Sequence, residues 1–348
     1  RDQHLLSRRQ RQMCIRDSMR VILRCDFNVP IIEGNITDES KIIKSLETIN
    51  YLLSKNCKII ILRHLGRVKT EEDKKNASLL PIKNSLERLL NKPIKFATDI
   101  LSEETKNMAL SLQSGEILLL ENTRFLDVPN KLESTLNDDV AKQIASFGEL
   151  FVFDAFAVAH RRHTTVVGIP AYLPSCLGFL AEKELSMLDI TIKNPNKPFT
   201  VIMGGAKVDD KLKIIKSLLP KCDHLLVSGG IANSFLSALR LNVGSSLKTN
   251  DPNIIKELVN LMLTYKEKFA FPLDAIVTTT YSNHPEMKNI NEIDTNDVIK
   301  DIGTKTIKKY GTIIKESNTI FMNGTMGIYE EKAFANGTRE ILNILSTK

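Results

Sequence analysis

At 348 residues, with 42% apolar and 26% charged residues, the chain has the composition of an ordered globular protein and the length of two domains, which excludes disordered and fibrous classes. No apolar run approaches the roughly 18 residues that span a bilayer, which argues against a membrane partner. The net charge of +7 suggests nucleic acid only until it is divided, because residues 1–18 hold five arginines against two aspartates and carry +3 of it. That segment lacks the apolar core of a secretory signal and has no periodicity, so it reads as a disordered leader outside the fold. Five scattered cysteines (Cys14, Cys25, Cys57, Cys176, Cys222) without a CxxC pair fit a reduced, cytoplasmic chain with neither disulfides nor a zinc site.

From Met19 short apolar runs alternate with amphipathic segments. Arg20–Cys25 reads as a strand, and 38–53 as a helix with Ile42, Leu46, Ile49 and Leu53 on one face and Thr37 as its N-cap. Next come the strand Lys58–Leu62, a helix over 78–90, a short strand at 94–96, a helix over 103–112, a strand over 116–120, a helix over 138–146 and a strand over 150–153. This is the alternation of a parallel sheet built from βαβ units. A helix over 177–192 ends at Asn194-Pro195-Asn196-Lys197-Pro198, a breaker cluster that marks the domain boundary. A second series follows, with strands over 198–203, 223–227, 275–279 and 319–322 and helices over 209–219, 232–239, 252–268, 305–315 and 338–345. Residues 283–296 are polar and show no pattern. The expected fold is α/β: two doubly wound parallel-sheet, Rossmann-like domains over 19–176 and 194–348, joined by a hinge helix over 177–193.

Open α/β sheets bind ligands beyond the carboxyl ends of their strands, so the residues just past each strand carry the functional information. In the first half these are Asp26 and Asn28; Arg63, His64 and Arg67; Glu121, Asn122 and Arg124; and Asp154, His160 and Arg161. Several basic groups on one sheet edge would repel one another unless an anion were bound. In the second half the strand ends carry glycines instead: Gly204-Gly205, Gly229-Gly230, and Asn323-Gly324 with Gly327. In MGGAKVDDK, residues 203–211, the glycine pair exposes backbone amides near a helix start, while Lys207 and Lys211 oppose the helix dipole unless a polyanion is present. An ordinary turn with solvated lysines is the plain alternative. One edge rich in arginine and one rich in glycine and lysine suggest transfer between a small anion and a nucleotide.

The segments RCDFNVP (24–30), HLGR (64–67), LENTRF (120–125), DAFAVAHRRH (154–163), GGAKVDDKL (204–212) and NGTMGIYE (323–330) resemble, in order, the signature segments of the phosphoglycerate kinases. The resemblance runs from Met19 to the last residue. It implies a glycolytic kinase whose N-terminal domain holds 3-phosphoglycerate or 1,3-bisphosphoglycerate and whose C-terminal domain holds ATP or ADP with Mg²⁺. Hinge closure would precede in-line transfer to a carboxyl group. By resemblance, Asp26 and Asn28 orient the substrate, and His64, Arg67, Arg124 and Arg161 grip its carboxylate and non-transferring phosphate. Lys41, Lys207 and Arg161 serve the transferring phosphoryl group. Lys211 holds the nucleotide phosphates, Gly229 and Gly230 line the adenine pocket and Glu330 binds the ribose hydroxyls, while Gly204, Gly205, Lys207, Asn323 and Gly327 complete the nucleotide site. His163 is left outside the site, and Glu121 is expected to brace the domain.

Lys41 stands where the family pattern has an arginine, which keeps the charge and loses the fork. Ala157 replaces a glycine and Thr325 a proline. The family's GGGD-type loop, whose aspartate binds the nucleotide magnesium, has no counterpart after 338–345, so no metal ligand is assigned and reduced activity is expected. A monomer without nucleic-acid partners is expected. A catalytically inactive nucleotide-binding scaffold of the same fold is the alternative.

Overall fold

The structure, a computed structural model, describes residues 15–32 and 34–348. Its elements fall into two compact units that divide between Met187 and Leu188.

The first unit begins with β1 (Arg20–Cys25), the small antiparallel pair β2 (Ile31–Ile32) and β3 (Asn35–Ile36), α1 (Ser40–Ser54) and β4 (Lys58–Leu62). It continues through α2 (Glu71–Lys75), α3 (Leu80–Leu90), β5 (Lys95–Ala97), α4 (Glu103–Leu110) and β6 (Ile117–Leu120). Then come α5 (Asp138–Ala145), β7 (Leu150–Asp154), β8 (Ser175–Leu177) and α6 (Phe179–Lys193), in which the division between the units falls. The six longer-range strands pair in parallel in the order β5-β6-β4-β1-β7-β8. Sequences such as KIIIL and ILLL are apolar at successive positions because helices cover both faces of such a sheet. Val21, Leu23 and Cys25 enter one core, and Ile22 enters the other. The chain leaves β1 toward β4 on one side and later returns to β7 on the other. The carboxyl ends of β1 and β7 therefore form the switch point where an open sheet presents its crevice.

The second unit holds β9 (Phe199–Met203), α7 (Leu212–Leu218), β10 (His224–Val227), α8 (Gly229–Ala238), α9 (Pro252–Thr264) and β11 (Phe269–Ala270). After these lie β12 (Asp274–Thr279), β13 (Ser282–Asn289), β14 (Asp297–Ile302), α10 (Thr304–Glu316), β15 (Thr319–Asn323) and α11 (Asn336–Ser346). A parallel sheet runs β11-β10-β9-β15, with its switch point between β9 and β15.

Several expectations need correction. Residues 283–296, which lacked a pattern, begin inside β13, the exposed edge of a three-stranded antiparallel sheet β13-β12-β14. Thr37 does not cap α1, which starts at Ser40; the Thr37 hydroxyl instead donates to the Pro30 carbonyl oxygen (3.4 Å). The helix expected from residue 209 begins at Leu212, and the one expected from 232 begins at Gly229. Residues 1–14 of the expected leader lie outside the described residues. Ile15, however, is buried in the first core, and the Ser18 amide donates to the Lys55 carbonyl (3.0 Å), so the packed chain starts before Met19.

Candidate active site

The first unit gathers charge at the carboxyl ends of β1, β4, β6 and β7. Arg24, near the end of β1, is fully buried. Its Nε donates to Thr165 Oγ1 (3.1 Å), its Nη1 to the Cys25 carbonyl oxygen (2.9 Å), and its Nη2 lies 3.1 Å from His64 Nδ1. A guanidinium can only donate, so Nδ1 accepts and the imidazole proton sits on Nε2. Burial, then the guanidinium charges of Arg24, Arg63, Arg124 and Arg161, push the His64 pKa down to about 2. His64 is therefore a neutral donor held at fixed orientation, suited to an anionic oxygen. Thr165 is fixed in turn, its hydroxyl donating to Glu133 Oε1 (2.6 Å) and its amide to Oε2 (3.0 Å).

Two loops are tied together by Asn122, which is buried. Its Oδ1 accepts from the Leu65 (3.0 Å) and Arg124 (3.1 Å) amides, and its Nδ2 donates to the carbonyls of Leu65 and Ala77 (both 2.9 Å). Glu121 accepts from the Ser78 hydroxyl and the Leu79 amide, both at 2.7 Å. These bonds hold Arg67 and Arg124 around a cavity of about 500 Å³, lined also by Lys69, Lys131 and Asp127. Asp127 pairs with Arg124 (2.7 Å), neutralising part of that basic lining. Asp26 is bound to Lys41 (3.3 Å) and accepts from the Asn28 amide (3.3 Å). That trio does not line the cavity. Arg161, in the turn after β7, is half-buried and close enough to His64 to lower its pKa. His163 lies 3.7 Å from Glu133 Oε1, and burial and then Arg124 lower its pKa to about 4.

In the second unit the glycine turns meet backbone to backbone at the switch point. A Cβ on Gly204 would overlap the Thr325 carbonyl oxygen, and one on Gly230 the Ala206 carbonyl oxygen. Gly205 adopts φ +114°, a conformation that side chains resist. Gly229 and Gly230 open α8, so their amides belong to the orphan donors of a helix N-terminus. Lys211 Nζ donates to the carbonyls of Gly204 (2.7 Å) and Asn323 (3.3 Å), and the Gly204 amide donates to Asn323 O (2.9 Å), joining the turns after β9 and β15. Burial lowers the Lys211 pKa, against the smaller raising effect of Asp210. Lys207 and Glu330 are exposed, and Gly327 packs against β14. Among the described residues no bond joins these three to the Gly204–Lys211 cluster.

Arg24, Glu133 and Thr165 were missing from the expected site, and Asn122 was named as a strand-end residue without a role in it. For Arg24 a signal existed: a cation inside the apolar strand RVILRC must have buried partners.

A family model described as phosphoglycerate kinase matches residues 14–348. The chain belongs to the phosphoglycerate kinase family. It is 42% identical over 321 residues to the phosphoglycerate kinase of Macrococcus caseolyticus, covering 92% of this chain and 81% of that one. It is also 42% identical over 326 residues to that of Clostridium kluyveri, covering 92% and 80%. Among solved structures, the phosphoglycerate kinase of Coxiella burnetii superposes with a TM-score of 0.84 at 32% identity, over 99% of this chain and 86% of that one. The enzyme from Pyrococcus horikoshii OT3 gives 0.78 at 27% identity, over 94% and 83%. These likenesses span both units and agree with two Rossmann-like parallel sheets. Among the described residues no helix is long and apolar enough to cross a membrane.

Proposed function

We propose that the chain catalyses reversible phosphoryl transfer between 1,3-bisphosphoglycerate and ADP, yielding 3-phosphoglycerate and ATP. The supporting observation is that one chain carries a guanidinium cluster around a neutral, oriented histidine on one unit and a backbone phosphate cradle on the other. Nothing among the described residues favours a non-catalytic scaffold.

In the direction of ATP synthesis, a β-phosphate oxygen of ADP attacks the acyl phosphate in line, the bond from phosphorus to the carboxyl oxygen breaks, and the carboxylate leaves with the electron pair. No protein base or covalent intermediate is needed, so catalysis consists of positioning and charge stabilisation. His64 donates from Nε2 to the substrate, while Arg67, Arg124 and Arg161 bind its carboxylate and resident phosphate. Asp26 and Asn28 orient the hydroxyl, and Lys41 reaches the transferring group. Gly204, Gly205 and Lys211 hold the nucleotide phosphates with Asn323. Gly229 and Gly230 border the base, Gly327 the nucleotide and Glu330 the ribose, and exposed Lys207 follows the moving phosphoryl. Among the described residues no cluster of three or more histidine, cysteine or acidic side chains could hold a metal, so Mg²⁺ would arrive with the nucleotide and would screen the charge of its phosphates. Among the described residues four cysteines are free and buried, which supports a cytoplasmic setting.

A coupled assay of ATP consumption tests the reading. Consumption should require 3-phosphoglycerate and Mg²⁺; binding of both substrates without turnover would overturn it.

A further inference from the structure

Arg63 lies between β4 and the His64 loop and is fully buried. Its backbone carbonyl accepts from the Thr123 amide (3.0 Å). Its guanidinium differs from that of Arg24, whose three nitrogens all have partners. Among the described residues, Nε, Nη1 and Nη2 of Arg63 have no hydrogen-bond partner. Five donors are thus removed from water without replacement, which costs stability as long as the group stays charged. Its electrostatic neighbours are Arg24, Asp26 and Cys25; repulsion by Arg24 adds to burial in pushing the pKa down to about 9, while Asp26 opposes it. Asp26 is already bound to Lys41. The charge is therefore poorly compensated within the unit, and it sits beside residues assigned to substrate.

We infer that Arg63 is a positioning residue whose buried charge is balanced by the bound phosphoglycerate and which therefore sets the affinity of the first unit for its polyanionic substrate. It does not touch the ligand. It acts through the field at the switch point, where a low-dielectric interior transmits a charge further than water does. An uncharged side chain of similar volume should relieve the ligand-free protein and weaken the hold on substrate. A purely structural arginine would do the reverse, lowering stability and leaving affinity alone. The inference rests on the reading that the first unit binds phosphoglycerate.

The test uses the full chain with Arg63→Met, Arg63→Gln and Arg63→Lys, measuring melting temperature with and without 3-phosphoglycerate and steady-state kinetics. For Arg63→Met and Arg63→Gln, the ligand-free melting temperature should equal or exceed that of the parent, and the ligand-induced rise should shrink. The KM for 3-phosphoglycerate should rise about tenfold, equivalent to 1.4 kcal/mol, with kcat within twofold. Arg63→Lys should restore KM to within about threefold. An unchanged KM and ligand-induced rise in the neutral variants would overturn the inference alone. So would failure of both neutral variants to fold, because the charge is held to cost stability. If 3-phosphoglycerate does not stabilise even the parent, the substrate reading falls and takes this inference with it.

Discussion

His64→Asn isolates one titrating group in the first unit. Asparagine can place its Oδ1 near the position of Nδ1 and still accept from Arg24, but it cannot be protonated. In the folded parent His64 stays neutral down to about pH 2, because its burial and then Arg24 oppose a second proton. In the unfolded chain it titrates near its ordinary value of about 6.5. Below that value the unfolded state binds the extra proton, so stability falls as the pH falls and is fully present above pH 6.5. Each pH unit is worth about 1.4 kcal/mol, so the parent should lose about 2 kcal/mol from this group between pH 8 and pH 5. His163, whose pKa is lowered to about 4, contributes equally to parent and variant and cancels in the comparison. Urea unfolding followed by circular dichroism at the two pH values measures the difference. A variant whose stability changes with pH as much as the parent's would refute both the tautomer and the burial argument.

Other substitutions probe the remaining groups. Gly230→Ala pushes a Cβ into the Ala206 carbonyl and must open the cradle by roughly 1 Å, so kcat should fall about 100-fold and stability by about 1–3 kcal/mol; a kcat within threefold of the parent counts against the cradle. Lys211→Met removes a charged donor from two carbonyls and from the phosphates that Lys211 is proposed to hold, and the KM for ATP should rise about 10- to 100-fold; steady-state kinetics at saturating 3-phosphoglycerate would show it. Lys41→Arg restores a planar fork beside Asp26 and should raise kcat, which an unchanged or lower turnover would disprove.

The parallel sheets were legible because strands covered on both faces must be apolar at nearly every position, as in KIIIL and ILLL. Beta-strand 13 was not, since SNHPEMKN is mostly exposed and carries no apolar alternation to report its face. The start of α8 was hidden by Gly229 and Gly230, poor helix formers that occur there because Gly229 adopts φ +58° against the Gly205 carbonyl and the Ala206 carbonyl leaves no room for a side chain on Gly230. Thr37 looked like a cap because residue type alone does not reveal that its hydroxyl is already committed to Pro30. At the first unit's strand ends, the sequence pointed to Arg67 and Arg124, which the fold places around one cavity, and to Asp26, which is instead bound to Lys41 outside that lining. Thr165 bonds Arg24 across 141 positions, and Glu133 supports that bond through Thr165, a chain of contacts that periodicity cannot express.

The central claim is that the two halves of the reaction are held by separate sets of residues on separate units. Amide hydrogen exchange on the full chain, with 3-phosphoglycerate alone and with the magnesium complex of ATP alone, tests it directly. The acid should slow exchange around residues 24–28, 63–67, 122–124 and 161, and the nucleotide around 204–211, 229–230 and 323–330. Protection by either ligand confined to the other ligand's segments, or absent from both sets, would contradict the assignment.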